Sequence, residues 1–140
     1  MASNNVNNIE NINIDDIYCS HWLTTTDMKE ILKDCKYPYF FDGLHYLFHI
    51  RDSIHYNSLN NKNFDRYKRY LDTTTQPEHS VDNFINLFNK FDINKIERIN
   101  VKYNHRFKKY IIHDGAHRLS IMIYKQILKE SIKEKYLVIK

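Results

Sequence analysis

Glycine, proline and cysteine occur only twice each in these 140 residues, and tryptophan once. Two separated glycines, Gly43 and Gly115, cannot spell GxGxxG or GxxxxGK[ST], so the Rossmann and Walker A phosphate loops are absent. Cys19 and Cys35 come without a CxxC pair or a run of partner histidines. Neither a disulfide framework nor a standard zinc site is indicated, and a reducing compartment is expected. No apolar run reaches the roughly 18 residues of a membrane span, and the N-terminus, MASNNVNNIENINIDD, has no basic region followed by an apolar one. The expectation is a soluble, cytoplasmic chain without a membrane partner.

Hydrophobic residues make up 42% and charged residues 27% of the sequence, which belongs to a folded globular domain. Residues 1–10 are polar and Asn-rich and read as a disordered leader; 11–140 reads as a single domain. The formal charge of +4 with eight histidines suits a phosphate-bearing partner, whereas the 17 acidic residues oppose a polycation built for nucleic acid. Asn, Ile and Tyr are abundant and Lys outnumbers Arg, a chain-wide habit that leaves the scarce residues as the informative ones.

Periodicity predicts mixed α and β structure. Thr26 is read as the cap of a helix over 27–34 with Met28, Ile31 and Leu32 inward, and Pro38 as enforcing an extended stretch. The aromatic segment 39–54 is read as a helix after Gly43, and 63–72 as a helix with Phe64, Tyr67, Tyr70 and Leu71 on one side. The TTTQPE stretch reads as a loop. Ser80 is expected to cap a helix whose stripe is Val81, Phe84, Ile85, Leu87, Phe88 and Phe91. Alternation predicts strands over 96–103 and 108–114, joined as a hairpin by the NHRF turn. A helix from Ala116 to about Glu130 would bury Leu119, Met122, Ile123 and Ile127, and YLVIK reads as a terminal strand.

One glycine stands where the second of those strands meets the last helix, in YIIHDGAHRLSIMIYK. A helix entered directly from a strand leaves its first amides without internal acceptors, and its dipole adds partial positive charge there. His117 and Arg118 fall in that first turn, where cations oppose the dipole, so the corner invites an anion such as phosphate. Gly115 tolerates positive φ and lets the backbone approach a ligand closely. Asp114 can cap the helix or hold a proton. The plain alternative is a turn with solvated or paired side chains.

The stretch IIHDGAHRLSIMIY resembles the signature of the ParB/sulfiredoxin superfamily, in which a strand ends in a DGxHR-type loop and a helix N-terminus receives nucleotide phosphates. The pattern extends over about residues 80–127, with Ile99 and Val101 in the preceding strand. The resemblance implies a ParB/sulfiredoxin-like α+β fold, a small mixed sheet with helices packed on it. Ala116 stands where sulfiredoxins carry their reactive cysteine, and GAHR replaces the GERR of chromosome-partitioning members. The loop is nearer to the DGHHR of members resembling free-serine kinases and to ParB-like domains linked to surface-glycan biosynthesis. That likeness implies phosphate binding by Gly115, Ala116, His117 and Arg118, with Asp114 near the reacting centre.

A kinase acting on a hydroxyl benefits from a positioned base, for which Glu78, His79 or Asp114 would serve; the alternative leaves Glu78 solvated and packs His79 on Phe84. Asp42, His45 and His49 form D-x-x-H-x-x-x-H, and on a helix the i, i+4 histidines would share a face able to grip a metal, but YLFHI is apolar, so core histidines are the reading and no metal ligand is assigned. Mg²⁺ enters only through a nucleotide's phosphates. The stretch RYKRY (66–70) interleaves cations with rings, as a nucleic-acid face or as an amphipathic helix. The D-G-x-H-x-L echo in FDGLHYLF lacks a preceding strand and is read as coincidence.

These residues lead to one expectation and one alternative. The first is a phosphotransferase that binds ATP or another nucleoside triphosphate at Asp114–Arg118 and acts on a small hydroxyl-bearing substrate in glycan or small-molecule metabolism. The alternative is a ParB-like nucleic-acid-binding or nuclease module using 66–70 and the basic loop Lys102 to Lys109. A non-catalytic binding partner retaining the fold is the third reading.

Overall fold

Short apolar runs flanked by turn residues build the middle of the sheet. IYCSH (β2, Ile17–His21) and YLFH (β4, Tyr46–His49) are buried on both sides, as central strands are. The computed structural model describes residues 11–21, 25–72, 80–95 and 97–140. Around β2 and β4 lie β3 (Phe40–Phe41), β5 (Ile99–Asn104), β6 (Lys109–Asp114) and β8 (Leu137–Ile139), in the order β3-β4-β2-β6-β5-β8. Strand β2 runs antiparallel to β4 and parallel to β6, and β8 joins β5 in parallel. A separate ribbon pairs β1 (Asn11–Asn13) with β7 (Ser131–Lys133). Among the described residues the helices are α1 (Thr25–Asp34), α2 (Ile54–Asn61), α3 (Asp65–Asp72), α4 (Val81–Asn89) and α5 (Ala116–Tyr124). The fold is a small α+β arrangement with a mixed sheet.

Residues paired across strands share a face of the sheet. Cys19 and Ile112 pack with Leu119 and Met122 of α5, while Phe48 packs with Ile54 of α2 and Ile121 of α5. Helix α5 therefore serves both core clusters, Leu119, Met122 and Ile123 in one and Ile121 in the other, so it is buried nearly all round. Phe40, Leu47 and Ile111 belong to neither cluster and mark the opposite face.

Several expectations hold. The Ser80 hydroxyl accepts from the Asn83 amide at 3.0 Å and caps α4; Phe84 of its stripe is buried, although Leu87 is exposed. The β5–β6 hairpin forms, and YLVIK contributes β8. Three expectations are corrected. Segment 39–54 is not a helix after Gly43: it makes β3, a turn and β4, because β4 finds strand partners on both edges, information no local period carries. Helix α1 begins at Thr25, which places Thr26 inside the helix instead of at its cap. Helix α5 stops at Tyr124, six residues short of Glu130. The Ile127 amide donates to Met122 and that of Gln126 to Ile123, with Gln126 at φ 61°, a left-handed closure without glycine that leaves Ile127 exposed. The leader and the TTTQPE loop lie outside the described residues.

Candidate functional site

Strand β6 delivers Asp114 to the corner, and Gly115 turns the chain with φ 116° and ψ 14° into α5, where its carbonyl accepts from the Leu119 amide at 2.9 Å. Having no side chain, Gly115 offers no cap, and among the described residues no side chain caps the first turn of α5. A Cβ at this position would stand 2.9 Å from Ile99 Cγ1, 3.0 Å from Ile99 Cγ2 and 3.1 Å from Arg118 Nη2. Ile99 is fully buried, so glycine is required twice over, by its backbone angle and by the protein's own packing. The close approach is to Ile99 and Arg118.

Arg118 is already engaged. Its Nη1 donates to the carbonyls of Glu97 at 2.7 Å and Arg98 at 3.3 Å, and Nη2 lies 3.2 Å from Asp114 Oδ2. The cation that opposes the helix dipole is therefore neutralised by the carboxylate four residues earlier and by two loop carbonyls. No phosphate is needed to account for its place. A guanidinium has five donors, and these contacts use three of them.

His117 turns the other way, into an aromatic pocket. Its Nε2 shares a hydrogen bond of 2.6 Å with the Tyr67 hydroxyl, and its ring meets those of His55 and Phe84 edge-on at 4.3 and 4.8 Å. Tyr67 is wholly buried, and burial pushes its phenol far above the ordinary range, so it stays neutral at any working pH.

Two hollows flank the corner. One, of about 190 Å³, lies between α4 and the loop and is bounded by Ser80, Asn83, Phe84 and Arg118. The other, of about 270 Å³, is bounded by Ser20, His21, His55, Tyr70 and Ala116. Tyr67, Asp114, Gly115 and His117 line both. All five expected corner residues, Asp114 to Arg118, thus border this double cleft. Glu78 and His79 lie outside the described residues, although their neighbour Ser80 lines the first hollow.

His21 and His55 escaped the sequence reading. His21 is 2% exposed, and its Nε2 accepts from the Ile54 amide at 3.3 Å, which leaves the proton on Nδ1, where no acceptor stands among the described residues. Burial, reinforced by the charge of His117, pushes its pKa down to about 4. Its ring is 5.6 Å from that of His55, which forms the next link towards His117. These histidines are brought together from β2, α2 and α5, and no local spacing in the sequence announces them.

The other candidates resolve structurally. Asp42, His45 and His49 share no helical face. Asp42 accepts from the Leu44 and His45 amides in a turn, and His49, buried in β4, accepts from the Arg51 amide and donates to Asp15 at 2.8 Å. Among the described residues no group of three or more His, Cys, Asp or Glu is placed to hold a metal. Burial pushes the thiols of Cys19 and Cys35 up to about 12, which makes both poor nucleophiles. In RYKRY, Tyr67 faces the core and Arg66 pairs with Glu30 and Asp34. Gly43, at φ 99°, leads into a strand and not a helix, so its echo of the Gly115 corner ends with the letters.

Comparison with family models, with curated proteins and with solved structures gives no match.

Proposed function

We propose that the double cleft around Gly115 binds a nucleoside triphosphate and directs phosphoryl transfer to a small hydroxyl-bearing substrate. The observation that carries this reading is the uncapped first turn of α5, which opens on a hollow bordered by His117 and Arg118. The resemblance to the ParB/sulfiredoxin superfamily supplies the choice of a nucleotide among phosphate ligands.

The residues present fit a phosphate group. The amides of Ala116, His117 and Arg118 belong to the positive end of the helix, and Arg118 keeps two donors beyond those that tie it to Asp114, Glu97 and Arg98. The phosphates would occupy the hollow beside Ser80 and Asn83, with Mg²⁺ carried by them. A triphosphate when bound supplies the transferable phosphoryl group. Asp114 lines both hollows and so stands at their junction, where a carboxylate can orient an acceptor hydroxyl and take its proton. The apolar rings of Tyr70 and Tyr67 bound the acceptor side.

A thermal-shift panel tests the reading with ATP, CTP, ADP and inorganic phosphate, each with and without Mg²⁺. A ligand at a hundred times its dissociation constant stabilises the native state by about 2.7 kcal/mol, a shift of several degrees. The expected result is a rise in Tm with a triphosphate and Mg²⁺ that exceeds the rise with inorganic phosphate. No rise with any nucleotide overturns the binding assignment, and binding without turnover towards any polyol or amino-alcohol acceptor overturns the transfer step.

A further inference from the structure

We infer that Tyr67 is a positioning residue for the Gly115 cleft: its buried phenol fixes the proton of His117 on Nδ1, which makes this imidazole a neutral hydrogen-bond donor to phosphate and bars it from acting as a base. The role towards phosphate rests on the nucleotide reading of the cleft; the place of the proton does not. It follows from what is buried. The Tyr67 hydroxyl and His117 Nε2 share one hydrogen bond of 2.6 Å. A neutral pair has two arrangements, the phenol donating to a bare Nε2 or Nε2–H donating to the phenol oxygen. Tyr67 is wholly buried and has no other hydrogen-bond partner among the described residues, so the second arrangement would strand the phenol hydrogen. Stranding a buried donor disfavours a state by roughly five- to a hundredfold. Burial also keeps the phenol from ionising. Tyr67 therefore donates, Nε2 accepts, and the single imidazole proton stays on Nδ1.

The ring is held in place as well as in its tautomer. His55 from α2 and Phe84 from α4 meet it edge-on at 4.3 and 4.8 Å, and the Tyr67 ring from α3 crosses it at 76°. Nε2 is taken up inside this cage, so Nδ1 is the ring nitrogen left to serve the two hollows that His117 borders. There its proton joins the first-turn amides of α5 and the Arg118 guanidinium as a donor to an anion. A ring with one nitrogen protonated and the other already accepting has no site for a further proton. In the transfer step the acceptor oxygen bonds to the terminal phosphorus, and the bond from that phosphorus to its bridging oxygen breaks with the electron pair leaving on the nucleoside diphosphate. The hydroxyl proton then passes to Asp114 and not to His117.

Two-bond ¹H–¹⁵N correlation spectra of the labelled protein without nucleotide read the tautomer directly, at about pH 8, above the ordinary histidine range. The His117 signals are assigned by their loss in His117→Asn, and the expected signature is Nδ1–H. Tyr67→Phe keeps the ring and removes the hydroxyl. Circular dichroism and urea unfolding check its fold, and its His117 signature should move towards the Nε2–H form that free histidine favours. Its affinity for ATP with Mg²⁺ in calorimetry should fall about tenfold, the low end of what a hydrogen bond to a charged group contributes. In turnover, KM for ATP should rise while kcat stays within about twofold. At position 117, asparagine carries its amide near the place of Nδ1 and glutamine near that of Nε2, so His117→Asn should bind ATP more tightly than His117→Gln. If Tyr67→Phe does not fold, the wild-type signature and this pair of variants still decide. An Nε2–H signature in the wild type, an unmoved signature or unchanged ATP affinity in Tyr67→Phe, or kcat lost at constant KM would each overturn the inference. A wild-type protein that binds no triphosphate overturns the phosphate role together with the nucleotide reading, whereas the tautomer still decides separately whether Tyr67 holds the His117 proton.

Discussion

Replacing Gly115 by alanine tests whether the scarce glycine is there for the protein or only for a ligand. Two costs follow from the geometry. At φ 116° a residue with a Cβ is strained, by roughly 1–3 kcal/mol. The new methyl would also meet both γ-carbons of buried Ile99 at 2.9 and 3.0 Å, and overpacking of this kind costs about 1–3 kcal/mol more. Gly43 is the internal control, because its φ of 99° carries the strain while nothing lies within 4 Å of its added Cβ. Gly115→Ala should therefore lose about 2–6 kcal/mol in urea unfolding and Gly43→Ala about 1–3 kcal/mol, with unchanged m values. In thermal unfolding the first corresponds to a fall of roughly 6–18 °C for a domain of this size. Truncating the obstacle completes the cycle: in an Ile99→Ala background, Gly115→Ala should retain only the strain term. Equal losses at the two glycines, or the same loss with and without Ile99, would refute the packing explanation.

Other consequences are as direct. His21 is held at about 4 by burial, below its unfolded value, so the unfolded chain takes up a proton first as the pH falls. Stability should drop between about pH 6.5 and pH 4 by roughly 3 kcal/mol from this group, and His21→Gln should flatten urea midpoints measured across that interval. His49 is displaced in the same direction by burial and leaves a residual slope. Gln126→Gly should stabilise the fold by about 1 kcal/mol, measured as a raised urea midpoint, because it relieves the left-handed residue that closes α5. Arg118→Lys keeps the charge but cannot reach both loop carbonyls and Asp114 from one planar fork. It should lower Tm by the equivalent of about 2 kcal/mol in the absence of any ligand. No loss in that variant would mean that the loop does not depend on its guanidinium.

Locally encoded features were legible. The Ser80 cap, the apolar stripe of α4, the alternation of the hairpin strands and the abrupt change to a helical period after Gly115 all lie within a few neighbouring residues. The segments that misled are those whose state depends on distant partners. YLFH suits a buried helix or a buried strand equally well, and only the pairing of Leu47 with both Ser20 and Phe40 decides between them. IYCSH drew no assignment because a central strand buried on both faces does not alternate. The end of α5 misled for a different reason: a glutamine took the left-handed position that glycine usually signals.

The candidate site divides along the same line. That Asp114, Gly115, Ala116, His117 and Arg118 meet at a strand-to-helix corner is a property of adjacent residues, so the sequence alone determined it. What those residues face was decided by the tertiary structure. Ile99 stands against Gly115 because β5 lies beside β6, Glu97 and Arg98 offer their carbonyls to Arg118 from the start of the same hairpin, and Tyr67 reaches His117 from a helix 50 positions away. The histidines of the second hollow converge from three elements. The lowered pKa of His21 arises first from desolvation, which no residue carries in its own neighbourhood along the chain.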